Sequence, residues 1–112
     1  MKVALIQQTY CGDRDKNIAK LTENIRKCAA EGADLLVLSE LHNSLYFCQT
    51  ENVDNFDLAE PIDGYSARYF GRLARELSVV ILISIFERRA NGLYHNTAIV
   101  LEKDGSVAGI YR

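Results

Sequence analysis

Runs of apolar residues and their spacing divide the chain into segments of changing period. Val3 to Ile6 is an unbroken apolar run closed by Gln7, Gln8 and Thr9, which predicts a strand covered on both faces of a parallel or mixed sheet. From about Lys16 to Glu31 the spacing becomes helical. Ile18, Leu21, Ile25, Cys28 and Ala29 fall on one face, Asp13 or Asp15 can cap the start, and Gly32 follows the end. Leu35 to Leu38 is a second buried strand that ends at Ser39 and Glu40. Strand, amphipathic helix and strand make a βαβ unit with a right-handed crossover and parallel strands.

Residues 41 to about 64 show no period and carry Asn43, Asn52, Asn55, Pro61 and Gly64, so they predict a long irregular connection of a functional kind. Ser66 is expected to cap a second helix that runs to about Leu77, with Tyr69, Phe70, Leu73, Ala74 and Leu77 on its apolar face. Three strands close the chain: Val79 to Phe86, about Leu93 to Leu101, and Val107 to Tyr111. Asn91-Gly92 and Asp104-Gly105 form the hairpin turns between them. The change from a βαβ unit to a meander predicts a mixed sheet, and argues against a receiver-like or flavodoxin-like domain, which needs further βα units.

Composition narrows the class. The 112 residues are 48 % hydrophobic and 25 % charged, ordinary for one globular domain. Thirteen Lys and Arg against fifteen Asp and Glu leave a net charge of −2, interspersed along the chain, which argues against nucleic acid and anionic membranes as partners. No apolar run approaches the roughly 20 residues that span a bilayer. There is no cleavable signal pattern, and Cys11, Cys28 and Cys48 have no paired spacing. The expected compartment is therefore the cytoplasm, with buried reduced thiols and no disulfide framework or zinc site.

Glu40 is the leading candidate for chemistry. Sites in open α/β sheets gather beyond the carboxyl ends of parallel strands, where a carboxylate beside apolar and aromatic residues is expected to be partly desolvated and suited to general-base work. Its bland alternative is a solvated loop acid or the cap of a following turn. Cys48 lies near Glu40 and His42, but a thiol beside Tyr46 and Phe47 reads first as packing. His42 and His95 have no second ligand at a metal-binding spacing, and Gly12 stands alone, so no metal, cofactor or phosphate loop is expected.

The residues resemble the nitrilase superfamily of carbon–nitrogen hydrolases. Lys2 to Gln7 resembles its first strand, Ala33 to Leu41 the segment that delivers its catalytic glutamate, and Tyr94-His95-Asn96-Thr97-Ala98 with Gly105 to Arg112 the strands before its catalytic lysine. Leu45-Tyr46-Phe47-Cys48-Gln49 and Ala59 to Gly64 are similar to the N-carbamoyl amine amidohydrolases, those acting on N-carbamoylputrescine first and β-ureidopropionase-like enzymes next. His42-Asn43-Ser44 departs from that pattern.

The resemblance implies an α/β fold, the mixed-sheet half of a four-layer αββα sandwich that is incomplete at the carboxyl end. Residues 1–112 would then be the amino-terminal part of a single domain. It implies a Glu–Lys–Cys triad of which Glu40 alone has a counterpart here, as general base, with Tyr46 as a substrate-binding candidate. It further implies a small-molecule amide or ureido substrate, no cofactor, a homo-oligomer, and no activity in this chain by itself. Lys103 precedes the last hairpin turn and Cys48 corresponds to a pocket loop, so neither replaces the missing members. The competing expectation is a non-catalytic assembly or binding module that keeps the half-fold and exposes apolar surface.

Overall fold

The structure is a computed structural model that describes residues 1–48 and 51–112. Gln49, quoted above with the aromatic stretch, lies outside the described residues. The elements run β1 (Val3–Ile6), α1 (Arg14–Ala30), β2 (Leu35–Leu38), a 3₁₀ turn (Val53–Leu58), α2 (Tyr65–Leu77), β3 (Val80–Ala90), β4 (Leu93–Leu101) and β5 (Val107–Tyr111). The strands form one mixed sheet in sequence order, parallel from β1 to β3 and antiparallel from β3 to β5.

Asp13 rather than Asp15 caps α1, its carboxylate accepting from the Lys16 amide at 3.1 Å, so the helix begins two residues earlier than its apolar period suggests. Ile18, Leu21 and Ile25 turn inward with Phe70, Leu73 and Ala74 of α2. They meet Ile6, Leu36, Leu38, Ile81, Ile83, Ile85, Ile99 and Leu101 on one face of the sheet, and this helix–sheet interface is the core. Helix α2 reaches down to the β4–β5 turn. A Cβ on Gly71 would lie 2.8 Å from the Gly105 carbonyl oxygen, and one on Gly105 the same distance from the Gly71 oxygen, so two glycines set this approach.

Four expectations change. Ser66 does not cap α2; Gly64 holds that position without a side-chain bond, and Ser66 instead donates its amide (2.8 Å) and hydroxyl (2.9 Å) to the Glu60 carboxylate. Glu60 thus caps the helix from outside. Strand β3 runs on past Phe86 to Ala90, because its polar end continues to pair with β4, with an irregular register between Arg88 and Ala90. The unbroken run of β1 is not covered on both faces: Val3 and Leu5 are 48 % and 77 % exposed on the side away from the helices. Nor are the thiols buried, since Cys11 and Cys48 are exposed and Cys28 is only partly covered at the rim of the core.

The sheet's helix-side face also holds a charged group. Glu87 is 1 % exposed, accepts from Thr97 at 2.7 Å, and receives a bidentate pair of bonds at 2.8 Å from Arg112, tying β3 and β4 to the residue after β5. Arg112 holds the Glu87 carboxyl below its ordinary value of 4.5, against the opposing pull of burial and with help from Thr97. Arg112→Ala is expected to destabilise the fold, by less than a fully buried broken pair because the arginine is partly solvated. A depressed carboxyl contributes stability above pH 4.5 and loses it as pH falls through the lowered value. The deficit of the variant in urea denaturation should therefore be full at pH 7 and shrink at pH 3; an equal deficit at both would refute an ionic origin.

Candidate functional site

The site is built on the turn that follows β2. The register puts Leu38 beside Ile6, so the chain leaves the sheet at the carboxyl end of two parallel strands, and Glu40 is presented there. Leu41 follows with φ 49°, a left-handed conformation that a γ-branched residue seldom adopts. Its side chain is 3 % exposed and its N–H donates to Ser84 Oγ at 3.0 Å, so packing and a hydrogen bond hold the strained turn. The turn throws the Glu40 side chain outward while anchoring the next one in the core.

Glu40 Oε1 accepts from Asn96 Nδ2 at 2.5 Å, and Asn96 Oδ1 lies 3.4 Å from the Ser84 hydroxyl that donates to it. Ser84 pairs with Ala98 across β3 and β4, which makes Asn96 its diagonal neighbour on the face away from the helices. Glu40 Oε2 has no hydrogen-bond partner among the described residues. Glu40 is exposed, so the desolvation expected from its position is not supplied by these residues.

The connection after Glu40 is tied down rather than irregular. Asn17, buried on α1, donates to the His42 carbonyl at 2.6 Å and accepts from Gln8. Asn43 donates to Ser66 Oγ and to Glu60, whose backbone bridges to β3 through Phe86 and Arg88; Arg14 stands 3.7 Å from the same carboxylate. Between this strap and the sheet lies a cavity of about 130 Å³ lined by Leu41, Asn43, Phe47, Glu60, Ser84 and Arg14. A wider cleft of about 470 Å³ opens beyond Phe47 and Phe86. Phe47, Phe56, Phe86 and Tyr94 pack ring against ring there at 4.5–5.9 Å, and Phe86 is the cross-strand partner of Asn96.

Tyr46 is half-exposed beside both Cys48 and Glu40. The Cys48 side chain beside it, and then the negative charge of Glu40, push the phenol above its ordinary value. Glu40 and Tyr46 therefore share one corner of the fold. Lys103 does not join them: β4 runs from Asn96 to Leu101 before the turn that carries it, roughly 17 Å of strand away from the site. His95 points to the other face, opposite Glu87. Reading the sequence alone missed Asn96 and Ser84 as functional residues; Ser84 stood out only as the polar residue in an apolar run, and Asn96 had no such mark within His95-Asn96-Thr97.

The mixed α/β sheet thus delivers one carboxylate beyond the carboxyl end of a parallel strand, where ligand sites gather in open α/β sheets. The chain belongs to the carbon-nitrogen hydrolase family, whose sequence profile matches residues 2–112. It is 36 % identical over 113 residues to a citrullinase of Francisella tularensis, a match that covers 100 % of this chain and 39 % of the relative. It is 34 % identical over 111 residues to an N-carbamoylputrescine amidase of Arabidopsis thaliana, covering 98 % and 37 %. The crystal structure of a carbon-nitrogen hydrolase from Helicobacter pylori G27 superposes with a TM-score of 0.92 at 43 % identity, covering 98 % of this chain and 38 % of that one. The chain thus spans less than two-fifths of the length of these relatives. No helix among the described residues is long and apolar enough to cross a membrane.

Proposed function

We propose that this chain contributes the general base of a carbon–nitrogen hydrolase that acts on a terminal ureido group, with N-carbamoyl amines as the substrate class. The observation that carries this reading is the geometry of Glu40, one oxygen held by Asn96 and the other without a hydrogen-bond partner among the described residues. The names of two relatives support the substrate class, because citrulline and N-carbamoylputrescine share the –NH–CO–NH2 terminus and differ in the rest of the molecule.

In this reading Glu40 takes the proton of a cysteine thiol, the thiolate attacks the ureido carbon, and a lysine stabilises the tetrahedral oxyanion. The leaving nitrogen takes up a proton as its bond to that carbon breaks, and water then releases the carbamoyl group from sulfur. Glu40 is the one triad member among these 112 residues, and Tyr46 lines the substrate side of the same corner. The 112 residues alone are expected to be inactive, because members of a catalytic unit lose most of their effect separately.

The test is ammonia release from N-carbamoyl amines by the 112-residue chain and by the product of the full reading frame that encodes it. Release by the longer product and none by the shorter supports the reading. Release by neither, from a monodisperse protein, overturns it in favour of a non-catalytic assembly module, which the exposed Leu5 (77 %) and Tyr111 (80 %) on the open side of the sheet would serve.

A further inference from the structure

We infer that Asn96 is the positioning residue of the Glu40 base, fixed in orientation by a one-way ring of hydrogen bonds that begins on the N–H of Leu41 and closes on the carboxylate of its neighbour Glu40. The inference rests on Glu40 being the base. Its starting point is the peptide that follows Glu40. The Leu41 N–H can only donate, and it does so to Ser84 Oγ at 3.0 Å. With its oxygen accepting, the Ser84 hydroxyl directs its proton to Asn96 Oδ1 at 3.4 Å. That leaves the Asn96 Nδ2 donor facing Glu40 Oε1 at 2.5 Å, where an ionised carboxylate can only accept. A donor-only group at one end and an acceptor-only group at the other allow a single direction of donation around the ring, so the amide cannot flip without breaking two bonds.

Two consequences follow for the base. The Glu40 side chain and the backbone N–H of the next residue, Leu41, are clamped by adjacent strands, β4 through Asn96 and β3 through Ser84, which are rigid supports for a group carried on a loop. The clamp also divides the labour of the two carboxylate oxygens. Oε1 is occupied by a neutral donor, and Oε2, without a hydrogen-bond partner among the described residues, is left to take the proton.

Asn96→Asp isolates the effect, since it changes one atom, keeps the acceptor for Ser84, and sets a second carboxylate against Glu40. In the protein made from its full reading frame, kcat for ureido hydrolysis at pH 8 should fall on the order of 10- to 100-fold with KM little changed, the range for losing a hydrogen bond to a charged group. The loss should shrink as pH is lowered and the pair comes to share a proton. Asn96→Leu should lose a similar factor without that recovery on acidification. A purely structural role predicts the same loss at every pH in both variants.

Wild-type rates in Asn96→Asp, or a loss independent of pH, would overturn the positioning role while leaving the base assignment intact. Wild-type rates in Glu40→Gln would overturn the base assignment instead. A second measurement stands apart from activity: the side-chain amide resonances of Asn96 should titrate with Glu40 and cease to do so in Glu40→Gln. An amide that does not respond to Glu40 refutes the ring.

Discussion

Glu40→Gln, made in the product of the full reading frame, is expected to lower kcat for ureido hydrolysis by roughly 100- to 10,000-fold, the range for loss of a general acid–base group. The substitution preserves shape, and the amide oxygen can still accept from Asn96, so the ring through Ser84 and Leu41 survives. Only the capacity to take a proton is removed. KM should therefore move much less than kcat, because the lost interaction exists in the transition state and not in the ground state. Stability should hardly change, since Glu40 is exposed and contributes no core contact. A variant that keeps kcat would show the carboxylate to be a solvated loop acid after all. A variant that unfolds would be inconsistent with the exposed position of the group.

How much of this could be read from the residues depended on the sequence distance of each interaction. The βαβ unit and both hairpins are local: their evidence lies in apolar spacing and in Asn91-Gly92 and Asp104-Gly105, which need no distant partner. Glu40 was legible for a related reason, because its place at the end of an apolar strand is itself the clue. Its clamp was not. Asn96 lies 56 residues from Glu40 and Ser84 lies 43 from Leu41, and only the register of β3 against β4 brings them together.

The same applies to Glu60, whose cap on α2 depends on a turn through Pro61 and Gly64 that swings its carboxylate back over Ser66. Glu87 was hidden by its neighbours. Followed by Arg88 and Arg89 it looks like the start of a solvated end, yet the alternation of the strand turns Glu87 inward and Arg88 outward, and Arg89 is exposed at the register irregularity. The exposed sheet face misled in the opposite sense, since an apolar run such as Val3 to Ile6 shows that a strand could be covered on both sides, not by what.

Lowering the pH from 7 to 4 should destabilise the chain by about 3 kcal/mol through His42 alone, at 1.36 kcal/mol per unit of pKa difference. His42 is 5 % exposed, its ring meets Phe70 edge-on at 5.1 Å, and neither ring nitrogen has a hydrogen-bond partner among the described residues. Burial pushes the imidazole from its ordinary 6.5 down to about 4; the Asn43 amide beside it pulls the other way without reaching bonding geometry, and Arg14 adds repulsion. With the folded value below the unfolded one, the unfolded chain binds the extra proton between these limits. Stability is therefore complete above pH 6.5, falls as pH drops toward 4, and is not lowered further by this group below that. Glu87 acts in a different window, under pH 4.5, so the two contributions separate on a pH series.

His42→Phe should be close to neutral at pH 7, because it replaces unpartnered polar atoms by apolar ones of similar shape, and should flatten the curve between pH 6.5 and 4. Because His42 sits one turn beyond Glu40, with its carbonyl tied to Asn17, the acid-labile region should be the strap that carries the base. Amide exchange near Leu41 and Asn43 should then rise before that of β3. Equal slopes for both proteins between pH 6.5 and 4 would show that His42 ionises as freely folded as unfolded, and the strap would lose its role as the weak point of the fold.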